Sequence, residues 1–374
     1  MLPFAQAAEH LAFFWGVRVS VSTARRHAEA AGAAYVAVQA AEVERLEREA
    51  PPPPRGPAVQ QISADGAMVP LVGGTWAEVK TLAIGTVVVD PARAGAGGGA
   101  HATERSYFSR LADHETFTRL AYVELYRRGT ETAGVVVGVM DGAEWEQRLL
   151  DRYRPDAVRV LDFPHVLEHL AAAAQATFGA GTAAAWIADQ ADALKGGAPS
   201  AVLVALSALP TGSATNPTAA DTGRDGAFRY LEKRLDQLRY ADFLAAGYPI
   251  GSGLVESANK LVVEVRLKGS GMHWRKENVD PMLALRNITC NERWAEAWPL
   301  VCGRLRGRAA SRRAARCQAR RPEPIAPPPA PAAPTPTLRQ PELPPAPRVV
   351  NGRPTADHPW RRPFLRRCRE QLAS

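Results

Sequence analysis

The stretch Gly134-Val135-Val136-Val137-Gly138-Val139-Met140-Asp141-Gly142 decides the fold. Its continuous apolar, β-branched run reads as a strand buried on both faces, ending at an acid. Leu111 to Arg128 before it has a helical period, Ala143 to Arg152 after it is helical again, and Ala157 to Leu161 is a second apolar strand. Strand–helix–strand units demand parallel neighbours, with helices covering the sheet.

Upstream, Gln60 to Ala64 reads as a strand reaching Asp65-Gly66, Glu78 to Val89 as a long strand before the Gly-rich loop Ala94 to Gly99, and Thr103 to Phe108 as a third. These three form an antiparallel meander. Meander strands followed by two that alternate with helices give an α/β fold with the mixed sheet of a ribonuclease-H-like domain, three strands antiparallel and two parallel. The catalytic core then runs over residues 56–165 and resumes over 248–300. From Val166 to Ala246 only helical signals appear, broken by Gly-Gly and Pro-Thr-Gly, so 166–247 reads as an all-helical insertion. A last pair of helices is expected over Ser252 to about Val265 and Asn278 to about Trp298.

Residues 1–50 read as an N-terminal helical region. Phe4 to Trp15 is one helix, Gly16 a turn, and Ser22 to Ala31 a second helix capped by Ser22 and carrying Arg25, Arg26 and His27. The pair is a candidate helix-turn-helix, and simple helix packing accounts for it equally well. The chain opens directly on this element, and a longer upstream DNA-binding region is expected to be missing. The run Pro51 to Pro54 stops the helix that reaches Ala50, because proline lacks the N–H donor and fixes φ. A new domain is expected there.

The chain has 374 residues and a formal net charge of +8. From Gly303 onward there are 16 Arg, no Lys and 4 acidic residues, a net of +12, which leaves −4 for the body. The basic character therefore belongs to the tail, which becomes Pro- and Ala-rich after Arg321 and reads as disordered over 303–374. Such a tail either attracts phosphates without regard to sequence or merely solubilises an extension. Cys290, Cys302, Cys317 and Cys368 form no C-x-x-C pair and read as free thiols. Apolar runs are far shorter than the roughly 20 residues of a membrane span, and no signal-peptide pattern follows Met1. A cytoplasmic, nucleoid-associated location is expected.

Asp65 and Asp141 each fall at a strand end and precede a glycine, and strand ends beside a sheet crevice are where α/β folds hold ligands. An Asp-Gly pair alone is usually an ordinary turn, so these positions need a third acid. That acid is Glu256 in Tyr248-Pro249-Ile250-Gly251-Ser252-Gly253-Leu254-Val255-Glu256-Ser257, where glycines lead into a helix with Ser252 as its cap. Glu256 shares a helix face with Lys260, and a surface ion pair is the plain alternative.

Four segments together resemble the ISKra-type bacterial insertion-sequence transposases, over a span from the N-terminal helices to about Trp298. They are Tyr248 to Ser257; Arg266-Leu267-Lys268-Gly269-Ser270-Gly271-Met272-His273-Trp274; Asp65-Gly66 with Trp76 and Glu78-Val79-Lys80; and Leu161-Asp162-Phe163-Pro164-His165-Val166. The resemblance implies a DDE transposase that cleaves and joins DNA, with Asp65 and Glu256 as the first and last catalytic acids. In the related Mutator-type transposases the second Asp follows the fourth strand in a segment like Met140-Asp141-Gly142-Ala143, and a C/D-x-x-H element follows the fifth. Asp141 is accordingly the middle metal ligand, with Asp162 and His165 as supporting residues. The implied cofactor is a pair of Mg²⁺ ions, for which Mn²⁺ substitutes, because hard cations prefer carboxylate oxygens and two of them stabilise the attacking and departing oxygens of a phosphodiester together. The implied partners are transposon ends and target DNA, met by Arg25, Arg26, Lys260, Arg266 and Lys268, in a homo-oligomer that brings two DNA ends together.

Two rival readings stand beside this one. His165-Val166-Leu167-Glu168-His169 fits the H-x-x-E-H pattern of inverted zinc peptidases, with the histidines on one helix face. A truncated or inactive transposase relative would bind DNA without cutting it.

Overall fold

A computed structural model of the chain describes residues 2–90, 99–178, 180–210, 219–319, 349–350 and 352–354. Two helices open it, α1 (Phe4–Trp15) and α2 (Val21–Glu49). Gly16 ends α1 with a left-handed φ of 65°, as a turn glycine should. The cap of α2 is Ser20, not Ser22: the Ser20 side chain accepts from Thr23 N at 3.2 Å, and the helix runs unbroken to Glu49.

Strands β1 (Val59–Pro70), β2 (Trp76–Val89) and β3 (Ala100–Arg110) form the antiparallel meander. Helix α3 (His114–Arg127), strand β4 (Val135–Met140), helix α4 (Glu144–Tyr153) and strand β5 (Val158–Leu161) follow. The sheet order is β3-β2-β1-β4-β5, with β1–β4 and β4–β5 parallel. The five-stranded mixed α/β sheet is thus as expected. The loop expected at Ala94 to Gly99 lies, apart from Gly99, outside the described residues.

One correction matters for the site. Asp65 is not at a strand end: β1 continues five residues beyond it, and Asp65 pairs with Thr81 of β2. The Asp-Gly pair does not turn, because Ala67 and Val69 are buried around the exposed Met68, the alternation that keeps a strand extended. Strand β4 ends at Met140, however, so Asp65 lies where β1 loses its parallel neighbour.

Each sheet face buries a core. On one, Ile62, Ala64, Leu82, Ile84 and Phe108 pack with Phe117, Ala121 and Leu125 of α3 and Leu149 and Leu150 of α4. On the other, Val137, Val139 and Val160 pack against helices of the expected insertion: α5 (Phe163–Phe178), α6 (Ala180–Lys195), α7 (Pro199–Ser207), α8 (Ala219–Glu232) and α9 (Tyr240–Ala245). Ala67, Val69, Val79 and Ala83 meet α10 (Gly253–Ala258), a π-helical segment (Asn259–Glu264), α11 (Val265–Leu267) and α12 (Lys276–Cys290). Helix α2 joins that same cluster through Ala31, Ala34 and Tyr35, so the proline run separates it from the sheet in sequence and not in packing. Residues 1–317 make one compact unit.

The helix expected over Asn278 to Trp298 is two helices. Helix α12 ends at Cys290, Glu292 takes a φ of 56°, and α13 (Trp294–Ala319) begins. Helix α13 also corrects the disordered tail: residues 303–319 are helical, held by Arg304 and Arg308, which donate to the carbonyls of Ala37 and Ala33 on α2. In the second unit, from Gln318 on, Val349–Val350 pairs with Arg353–Pro354; the remaining residues of the expected tail, and Cys368, lie outside the described residues. Cys290, Cys302 and Cys317 are free thiols. Among the described residues no helix is long and apolar enough to cross a membrane.

Candidate active site

The parallel register aligns the acids. Ile62 faces Gly138 and Met140 faces Leu161, so counting three residues on from the first pair and one from the second brings Asp65, Asp141 and Asp162 to one level across three neighbouring strands. Side chains alternate along a strand, so Asp65, with Ala67 and Val69, belongs to the face that α10 covers.

Glu256 is brought to this level by a clamp at the return of the insertion. Phe163 N–H donates to Ile250 O at 2.9 Å, Ser252 N–H donates to Asp162 Oδ1 at 2.6 Å, and Gln61 Nε2 donates to Gly251 O at 3.4 Å. Helix α10 therefore starts against the ends of β1 and β5. Ser252 occupies the cap position without a side-chain bond to the backbone; its Oγ donates to Glu256 Oε1 at 3.4 Å. Glu256 is exposed and forms no ion pair with Lys260 among the described residues.

The turn of wider pitch after Glu256 has a cause in the sequence. The buried residues on this helix fall in pairs four apart: Leu254/Val255, Ala258/Asn259, Val262/Val263, Arg266/Leu267. An α-helix of 3.6 residues per turn would rotate that stripe about 40° per pair away from the sheet. A π segment, with more residues per turn, restores the alignment, and such segments recur at functional sites. It also turns Asn259 inward, where Nδ2 donates to Asp65 Oδ2 at 2.7 Å.

The electrostatics bind these residues into one cluster. The Asp65 carboxyl is pushed up to about 6, first by burial and then by the charges of Asp141 and Glu256, against the hydrogen bonds it accepts from Gly66 N and Asn259. A fourth acid belongs here. Glu146, in the first turn of α4, is 1% exposed and its Oε2 has no partner. Burial, then Asp141, then Asp65 hold its carboxyl well above the usual range, and its protonated form donates to Asp141. Nothing in the sequence marks Glu146, since acids in the first turn of a helix are common for dipole reasons alone.

Asp162 plays a different part from Asp65 and Asp141. Its Oδ1 accepts from Ser252 N and its Oδ2 from His165 N at 3.2 Å, so one carboxylate caps α5 and fastens the loop that leads to Glu256. Burial raises its pKa against those two bonds. The Asp141 loop is held in turn by α8. Tyr230 Oη donates to Asp141 O, Arg234 donates to Gly142 O at 2.8 Å, and Asp141 Oδ1 accepts from Ala143 N at 2.8 Å. Gly142 has a φ of 87°, and a Cβ there would lie 2.5 Å from Arg234 Nε. The glycine thus makes room for Arg234 rather than for a ligand.

The remaining expected residues scatter. His165 Nδ1 meets Glu168 at 3.3 Å, while the His169 ring stacks on Tyr230 at 4.0 Å. Arg25, Arg26, Lys260 and Lys268 are exposed, Arg25 near Glu29 and Lys268 paired with Glu264 at 2.9 Å. Arg266 departs from the expected surface cation: it is 5% exposed, between the rings of Phe4 and Trp274.

By type, the donors suit a hard divalent cation: they are carboxylates at one level of the sheet, with buried Glu146 Oε2 and Asn259 Oδ1 lacking partners. Among the described residues no three His, Cys, Asp or Glu side chains are yet drawn together closely enough to hold an ion. That applies equally to His165, Glu168 and His169. In comparisons with known proteins, the chain matches no protein-family model and no curated protein is significantly similar to it.

Proposed function

We propose that this chain is a DDE transposase of an insertion sequence, with a ribonuclease-H-like core that cleaves and joins DNA through Asp65, Asp141 and Glu256. The observation that carries the reading is the Asp65 carboxyl, which feels both Asp141 and Glu256 although they lie 76 and 191 positions away in the chain. Half-buried Asp65 and Asp141 beside buried Glu146, with no compensating cation, cost stability, and catalytic sites are where that cost recurs. Asp65 on the central strand β1 and Asp141 just past the end of its parallel neighbour β4 suit the arrangement the resemblance leads one to expect.

In this reading Asp65, Asp141 and Glu256 would hold Mg²⁺, with Glu146 behind Asp141. The ions, when bound, stabilise negative charge on the attacking and departing oxygens of the phosphodiester. Asp162 keeps α10 seated on the sheet, Asn259 fixes the rotamer of Asp65, and Tyr230 and Arg234 fix the loop of Asp141. Exposed Arg25, Arg26, Lys260 and Lys268 offer charge to DNA phosphates, and a homo-oligomer would pair two DNA ends.

The test is nicking and strand joining on a supercoiled plasmid carrying the element's ends, with Mg²⁺ or Mn²⁺. Asp65→Asn, Asp141→Asn and Glu256→Gln are each expected to abolish both steps while DNA affinity stays within about twofold, since each change removes a ligand charge with little change of shape. Full activity in Asp141→Asn overturns the assignment. DNA binding by the unaltered chain with no metal-dependent nicking identifies an inactive relative, and stoichiometric Zn²⁺ lost in His169→Ala identifies a peptidase.

A further inference from the structure

Arg266 is a buried charge with no counter-charge among the described residues. It is 5% exposed, its Nε is buried without a partner, and among the described residues its guanidinium makes no hydrogen bond or ion pair at all. Only ring faces cover it, Phe4 at 4.4 Å and Trp274 at 5.3 Å, and the charge that acts on it is the like-signed Arg286. Arg286 is itself 4% exposed, with its Nε unpartnered. Cation–π contacts do not offset the desolvation of a guanidinium that lacks a counter-charge. A residue in that state is provided for a ligand or is a defect.

Two cavities meet at Phe4 and Arg266. One, of about 560 Å³, is apolar, lined by Leu2, Leu11, Val19, His27 and Met282. The other, of about 610 Å³, has a mixed wall that carries the cations, with Arg25 and Arg275 beside His273 and Trp274. Its one acid, Glu29, is engaged by Asn278 Nδ2 at 2.9 Å and by Arg25 at 3.8 Å. The walls are fixed: Trp274 bonds by its backbone to Pro70 and Val72 at the β1–β2 turn, and its Nε1 donates to Leu267 O at 3.2 Å.

We infer that this pair of cavities is a nucleotide-binding site, taking a phosphodiester of a DNA strand on Arg266 from the cationic side and its unstacked base in the apolar cavity. The guanidinium fork matches phosphate oxygens, and an apolar slot of aliphatic side chains with the Phe4 ring at its mouth accepts a base face without regard to its sequence. The choice of a DNA strand over a free anion rests on the proposed function. Arg266 follows Glu256 by ten residues on the same run of helix, about 15 Å along its axis, which is about four nucleotide steps from the acids.

The experiment uses the full chain in EDTA, so that cleavage plays no part. Fluorescence anisotropy reports binding of a short single-stranded oligonucleotide and of the same strand with one abasic position, and thermal melts run in parallel. Arg266→Met is expected to weaken binding of the natural strand about tenfold, as for loss of a charge-assisted phosphate contact, while raising the melting temperature by removing a buried unpaired charge. Leu11→Trp, which fills the apolar cavity, is expected to lower affinity for the natural strand to that of the abasic one. Unchanged strand affinity in Arg266→Met with a lowered melting temperature makes Arg266 a structural plug and overturns the inference. Equal affinity for natural and abasic strands, with inorganic phosphate competing as well as the oligonucleotide, leaves an anion site and overturns it too. Arg266-dependent strand binding with no Mg²⁺-dependent nicking would sink the transposase reading alone and leave this site standing.

Discussion

Asp65→Asn is expected to make the metal-free protein more stable while destroying its activity. In the folded chain the Asp65 carboxyl titrates near 6, against 3.8 when unperturbed. A shift of roughly 2 units corresponds to about 3 kcal/mol, and partial exposure of the site reduces this to about 2 kcal/mol. The sign follows from linkage. The folded state binds the proton more tightly than the unfolded one, so well below the unfolded pKa, at about pH 3 and lower, both states are protonated and the acid costs nothing. As pH rises toward 6 only the unfolded state ionises freely, the cost grows, and above 6 it is constant. Asparagine removes the charge and keeps an oxygen for Gly66 N, while its new amide N–H₂ takes the place of Oδ2 and can donate to Asn259 Oδ1, which has no partner, once the Asn259 amide turns over. Urea denaturation in EDTA should therefore give equal stabilities for the two proteins near pH 3 and a gain of about 2 kcal/mol for the variant at pH 8. Millimolar Mg²⁺ should reverse the order at pH 8, because an ion that binds only the folded wild type stabilises it by mass action. A variant no more stable than wild type at pH 8, or a difference independent of pH, refutes the picture of a buried, mutually repelling acid cluster.

Four further outcomes follow from the same contacts. Asp162→Ala should cost about 3 kcal/mol by leaving Ser252 N and His165 N without an acceptor; Asp162→Asn keeps an acceptor for only one of them and should cost about 1–2 kcal/mol while nicking persists, and complete inactivity of a variant that still folds would instead make Asp162 a metal ligand. Gly142→Ala should cost about 1–2 kcal/mol from its φ of 87° and crowd Arg234, lowering nicking with it; unchanged nicking would free the Asp141 loop from that role. Arg293→Ala should destabilise by about 3–5 kcal/mol, because Glu124, 4% exposed in its side chain and bonded at 2.6 Å and 2.7 Å, is left buried with its charge; adding Glu124→Gln should restore much of the loss in a chemical melt. Changing Arg306, Arg312, Arg313 and Arg316 of α13 to Gln should flatten the salt dependence of DNA affinity by a slope of about 3, as counterion release requires, and an unchanged slope would make this helix a bystander.

The sheet was legible because its strands carry two different signatures. The run Val135 to Met140 is apolar throughout, as a strand covered on both faces must be, whereas the meander strands are longer and more polar. The length of β1 was misread because Asp65-Gly66 carries turn chemistry, although Ala67, Met68 and Val69 already alternate as a strand does. Ser22 was taken for the cap because it is a capping residue beside the helical period; Ser20 is another, and only the Thr23 N–H chooses between them. The Arg- and Ala-rich span 303–319 was assigned to the tail by its charge, yet alanine and arginine are good helix formers, and α2 supplies the carbonyls that anchor it. Of the site, Asp65, Asp141 and Glu256 were found through motifs. Glu146, Tyr230 and Arg234 were not, because their roles come from contacts across the fold that leave no periodic trace.

One signal was present and unread. Inward residues four apart, from Leu254 to Leu267, cannot lie on one face of an undistorted α-helix, and this mismatch requires a local widening somewhere between them. The widening falls at Asn259, immediately after the turn that carries Glu256, so the same distortion that keeps apolar residues on the sheet delivers a hydrogen bond to Asp65. Shortening the spacing by deleting one residue within 259–264 should let the helix relax to 3.6 residues per turn. Asn259 would then leave Asp65, whereas Arg266, now eleven residues after Leu254 and so within about 20° of the same face, would keep its place between Phe4 and Trp274. The irregular turn thus serves the acid cluster and not the cationic cavity, and such a deletion should impair metal-dependent nicking while strand binding through Arg266 persists; loss of both together would refute this account of the turn.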